Sequence, residues 1–120
     1  MQLTDADHVA IRSVIEQQLQ AFQDNNAEKA FSFASPGIQA QFGTADQFMA
    51  MVESSYPPVY RPRSVIFEAV AWLEGKVTQP VVLMGPNGQL FMALYMMQPH
   101  PNHQWRINGC FLSQIRARDE

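Results

Sequence analysis

The chain has 120 residues, 47% hydrophobic and 11% aromatic, enough apolar material for one core of its own and too much for a disordered chain. Its 8 Lys and Arg against 11 Asp and Glu give a net charge of −3 with the charges scattered, which argues against a nucleic-acid partner. No apolar run approaches the roughly 18 residues that cross a bilayer, so no membrane span is expected. The start, Met1-Gln2-Leu3-Thr4-Asp5-Ala6-Asp7, has neither the basic nor the apolar region of a secretory leader. With Cys110 the only cysteine, an internal disulfide is impossible, and a cytoplasmic protein is expected.

Thr4 followed by Asp7 forms a capping-box start for a first helix. Behind it Ile11, Ile15, Leu19 and Phe22 recur at spacings of four and three, with Val14 and Gln18 beside them, and Asp24-Asn25-Asn26 ends the helix. A second helix is expected over 27–34, turning Ala30, Phe31 and Ala34 inward until Ser35-Pro36-Gly37 interrupts it. Ile38 and Phe42 mark one further turn, closed by Gly43. Thr44 with Gln47 opens a third helix carrying Phe48, Met51 and Val52, which stops near Ser55 because Pro57 and Pro58 lack backbone donors.

From Ser64 the period becomes two. Four strands are expected, over 64–73, 77–84, 89–97 and 104–115, with turns at Glu74-Gly75-Lys76, at Gly85-Pro86-Asn87-Gly88 and in the loop 99–103. Pro80 cannot donate to a ladder and belongs at a sheet edge or a bulge. Both strand faces are apolar: Phe67, Ala69, Ala71 and Leu73 alternate with Ile66, Val70 and Trp72, and Leu90, Met92, Leu94 and Met96 with Phe91, Ala93, Tyr95 and Met97. One face packs on the helices, and the other needs cover too, so a homodimer through the sheet is expected. The reading is a single α+β domain over 1–120, three helices packed on a curved four-stranded antiparallel sheet.

The stretch from Gln20 to Phe31 resembles the helix-turn-helix opening of the nuclear-transport-factor-2-like, cystatin-like cone superfamily, and Trp105-Arg106-Ile107 resembles the start of its last strand. Ala34-Ser35-Pro36, Phe42-Gly43-Thr44, Met51-Val52 with Tyr56, and the run from Trp105 to Cys110 resemble a bacterial family of such domains with no assigned function. The resemblance implies a conical pocket between sheet and helices. Enzymatic members of the superfamily furnish that pocket with an acid-base pair. In steroid-isomerase-like members a tyrosine falls near Gln18 and a general-base aspartate falls within 35–39, where this chain has no carboxylate, so neither position is carried over as catalytic.

The candidate ligand pocket comprises Gln18, Phe22, Tyr56, Tyr60, Tyr95 and Cys110. A buried phenol must find a partner and can orient a ligand, although each tyrosine also has an ordinary reading as core or interface. Cys110 reads as a small buried hydrophobe unless a base or cation sits beside it. Glu68 is the one carboxylate inside an expected strand and reads as outward. His100 and His103 have metal-ligand spacing but no third ligand nearby, His8 reads as solvated, and no metal or cofactor is expected. Arg61-Pro62-Arg63 and Arg116-Ala117-Arg118 read as solvated rather than as phosphate sites. The seven methionines read as core filling before an adaptable surface. No catalytic residue is assigned. The leading function is a non-enzymatic module that binds a small apolar ligand or a protein partner; the alternative is an isomerase, dehydratase or hydrolase working in the pocket.

Overall fold

The computed structural model describes residues 2–116. In α1 (Asp5–Gln23), Thr4 Oγ1 accepts from the Asp7 N–H at 3.1 Å while Asp7 Oδ2 accepts from the Thr4 N–H at 3.0 Å, closing the capping box. Ile11, Ile15, Leu19 and Phe22 are buried, and Gln18 with them. Beyond the last turn Asn25 takes a left-handed φ of 55°. Arg61 completes that end: its guanidinium donates to the Phe22 carbonyl and to Asn25 Oδ1, placing a cation at the negative end of the helix dipole. Arg61 therefore has a structural role instead of the solvated one expected of its cluster. The other basic cluster, at 116–118, lies outside the described residues except for Arg116.

After α2 (Ala27–Ser32), the turn expected around Ile38 is a helix, α3 (Pro36–Phe42). Ser35 caps it, and Pro36 occupies a first turn whose N–H groups have no helical partner anyway. Thr44 caps α4 (Ala45–Ser55), which buries Ala45, Phe48 and Val52. Pro57 and Pro58 end α4 as expected, but they also open a short α5 (Pro57–Tyr60) for the reason Pro36 opens α3. The described residues thus hold five α-helices where three were expected.

The strands are β1 (Ser64–Phe67), β2 (Ala71–Leu73), β3 (Lys76–Met84), β4 (Leu90–His100) and β5 (Gln104–Ile115). The order is β1-β3-β4-β5, with β2 also on β3 and every pairing antiparallel. The strand expected over 64–73 is two strands, and the break between them lies opposite Pro80. The Glu68 N–H donates to the Pro80 carbonyl at 3.0 Å, but proline has no N–H to return the bond. Nε2 of buried Gln79 donates to the Glu68 carbonyl instead, at 2.8 Å. β4 runs past Met97 to His100, so His100 belongs to a strand, and the turn to β5 narrows to Pro101–His103.

β5 carries a bulge. Met96 pairs with Gly109 and Met97 with Ile107, leaving Asn108 as the extra residue. Alternation from buried Ile107 would turn Phe111 inward, whereas the bulge shifts the count so that Cys110 shares a face with Tyr95 and Phe111 faces out. Before the bulge, the β5 edge is covered by 33–35: the Ile107 N–H donates to the Phe33 carbonyl at 2.8 Å and the Ser35 N–H to the Ile107 carbonyl at 2.9 Å.

The fold is α+β, with helices packed on one face of an antiparallel sheet. Val77, Val81, Leu83, Ala93, Tyr95, Met97, Trp105 and Ile107 meet Ile11, Ile15, Leu19, Phe22, Phe48 and Val52 in one core. On the opposite face Ile66, Leu73, Leu90, Phe111 and Ile115 are between 39% and 63% exposed, so the helices leave that apolar face uncovered. No helix among the described residues is long and apolar enough to cross a membrane.

Candidate functional site

Between the helices and the inward face of β4 and β5 lies a cavity of about 310 Å³. Gln18 and Phe22 reach it from α1, Phe48, Met51 and Val52 from α4, Tyr95 from β4, and Ile107 and Cys110 from β5. Its exposed rim includes Gln41, Asn108 and Phe111. Side-chain hydrogen bonds fix the elements around it. Ser35 Oγ donates to Asn108 Oδ1 at 2.7 Å and accepts from the Ile38 N–H at 3.3 Å, so one buried hydroxyl fastens the start of α3 to the bulge. Gln39 Nε2, donating to the Phe31 and Ala34 carbonyls at 3.0 Å each, fixes the turn between α2 and α3.

The lining is aromatic and aliphatic, and no Lys, Arg, His, Asp or Glu belongs to it. Three polar side chains stand on its inner wall. Gln18 Nε2 donates to the Ala30 carbonyl at 3.1 Å. The Tyr56 hydroxyl donates to the Cys110 carbonyl at 3.1 Å. The Tyr95 hydroxyl is buried with no hydrogen-bond partner among the described residues.

Burial dominates the ionisation of these groups. It pushes the Tyr95 phenol well above its ordinary range, with the neighbouring Cys110 adding to the effect, and raises Tyr56 in the same way. The Cys110 thiol is pushed up to about 12 by burial. All three are neutral near pH 7, so the wall presents hydrogen-bonding groups and supplies neither a base nor a thiolate.

The structure brings together five of the six candidate pocket residues: Gln18, Phe22, Tyr56, Tyr95 and Cys110. Tyr60 stands apart from the cavity. Its hydroxyl donates to Asn25 Oδ1 at 3.2 Å, its ring lies 4.2 Å from the Arg61 guanidinium, and the same ring is tilted against Phe22 with centroids 6.2 Å apart. Glu68 is exposed at the break between β1 and β2. His100 Nε2 lies 2.7 Å from Gln98 Oε1, and no group of three or more potential metal ligands occurs among the described residues. Met51 reaches the cavity from α4, Met97 is in the core, and Met96, on the outer face of β4, belongs to the cavity's rim beside Phe111.

The sequence reading missed the rim, Asn108 and Phe111 above all. The signal was present: Asn108-Gly109 inside a run of strand residues is a turn-prone pair that marks a bulge, and a bulge reverses which residues point inward.

No curated protein and no solved structure matches the chain. A family model described as a domain of unknown function (DUF4864) matches residues 4–119, nearly the whole length, and the chain belongs to that family.

Proposed function

We propose that this domain is a non-enzymatic binding module that holds a small, largely apolar molecule in the cavity and works as a homodimer paired through the outer face of the sheet. One observation carries the ligand reading: the cavity wall is apolar and has no ionised group, while keeping a few neutral polar atoms, the usual make-up of a small-molecule site. The resemblance to the nuclear-transport-factor-2-like cone supports the same reading. The enzymatic alternative needs a carboxylate or histidine within reach of a substrate, and none belongs to the lining.

The dimer reading rests on the uncovered face. Ile66, Leu73, Leu90, Phe111 and Ile115 are its exposed large apolar residues, with half-buried Met92, Leu94 and Met96 between them, and pairing would take this apolar surface out of water. A two-fold axis through it would bury the same residues on both copies.

Ligand binding is tested by isothermal titration of neutral apolar probes into the wild type and into Met51→Trp, which fills the cavity from α4. Probes that bind the wild type and not the variant support the reading, and equal binding to both sinks it. For pairing, sedimentation should give a dimer at micromolar protein and a monomer for Ile66→Lys with Leu90→Lys. A wild-type monomer across that range removes the dimer.

A further inference from the structure

We infer that the ligand of this cavity is uncharged and carries a hydrogen-bond acceptor, a ketone, aldehyde or ester carbonyl, that takes the O–H of Tyr95. The inference deepens the binding-module reading and rests on it.

Of the three polar side chains on the inner wall, two already have protein partners. Gln18 is held by its bond to Ala30, and Tyr56 by its bond to Cys110. The Tyr95 hydroxyl has none, although the residue is only 1% exposed. A buried hydroxyl without a partner is unfavourable and uncommon and calls for an explanation, and a ligand in the cavity that Tyr95 lines supplies one. Tyr95 lies in the middle of β4, paired with Cys110 on one side and Gln79 on the other, so its backbone is fixed by ladders on both sides. Phenylalanine would fill the same volume without the orphaned oxygen, which makes the hydroxyl the feature to be explained.

The rest of the wall narrows the chemistry. A carboxylate in the cavity would meet no cation, and an amine would meet no carboxylate, so either would lose its hydration without compensation. Tyr95 keeps its proton at neutral pH and presents a donor, which a carbonyl oxygen satisfies and a hydrocarbon cannot. The space is about twice that of a dry apolar cavity of roughly 150 Å³ that holds one benzene, which fits a two-ring frame.

The test uses three probes on one frame: 2-tetralone, tetralin, and tetralin-2-carboxylate, titrated calorimetrically into the wild type and into Tyr95→Phe. The wild type should bind 2-tetralone about 10-fold tighter than tetralin and the carboxylate weakest of the three, and Tyr95→Phe should bind tetralone and tetralin alike. Tetralin equal to tetralone on the wild type, a preference for the carboxylate, or a tetralone preference surviving in Tyr95→Phe overturns the inference and leaves the binding module standing. Binding of none of the three to folded wild type fails the module reading itself. Should Tyr95→Phe not fold, the carbonyl stretch of tetralone bound to the wild type decides: a shift to lower wavenumber than in hydrocarbon solvent is expected, and an unshifted band overturns the inference.

Discussion

The indole N–H of Trp105 donates to Asp7 Oδ1 at 3.3 Å, joining residues 98 positions apart. The other oxygen of the same carboxylate accepts from the Thr4 backbone, so one side chain both caps α1 and ties its first turn to the start of β5. Both residues are buried, Trp105 to 1% exposure.

That double duty makes stability depend on pH. The Asp7 carboxyl is held below its ordinary 3.8, first by the hydrogen bond from the Thr4 backbone N–H, with Thr4 Oγ1 and Trp105 contributing and partial burial opposing. A depressed folded pKa gives stability that is fully present above the unfolded value and is lost as pH falls through the folded one. Asp7→Asn should therefore be less stable than wild type at about pH 6 and nearer to it at about pH 3, by urea midpoints. A gap that widens on acidification would contradict the assignment.

Gln79 replaces a backbone donor that Pro80 cannot provide. Gln79→Leu leaves the Glu68 carbonyl without its partner and should cost about 1–3 kcal/mol in denaturant melts. Adding Pro80→Ala restores an N–H opposite that carbonyl and should recover part of the loss, a coupling that a double-mutant cycle measures. Strictly additive effects would mean that Gln79 acts through packing alone.

Phe22 is 1% exposed and packs on Phe48, with ring centroids 6.1 Å apart, at the junction of the core and the cavity. Phe22→Ala should lose about 3–5 kcal/mol. A loss below about 1 kcal/mol would mean that the α1 stripe does not carry the core.

Cys110 should be inert. With its thiol pushed up to about 12, the native protein should leave Ellman's reagent nearly unreacted at about pH 8 and titrate one thiol once denatured. Rapid reaction of the folded protein would mean that the inner wall is open to water.

The starts of α1 and α4 were legible because each is written locally: Thr4 with Asp7 and Thr44 with Gln47 are capping signals that need no tertiary partner, whereas Ser35-Pro36, which caps α3, was read only as an interruption. Hairpin turns were legible for the same reason, and Glu74-Gly75 takes positive φ at both residues. The division of the first strand was not, because its cause, Pro80, sits on a neighbouring strand and acts across the ladder. The inward turn of Tyr95 and Cys110 together depends on the Asn108 bulge, whose effect on facing appears only when β4 and β5 are paired. Tyr60 misled for a different reason: it was grouped with Tyr56 and Tyr95 as a phenol that could orient a ligand, but the turn of α5 carries it away to Asn25 and Arg61.

The most direct measurement is a crystal structure of the protein grown with 2-tetralone. A two-ring molecule against Phe22 and Ile107, its carbonyl oxygen within about 3 Å of Tyr95 Oη, is the predicted result. A cavity closed by the protein's own side chains, with the Tyr95 hydroxyl bonded to one of them, would contradict it.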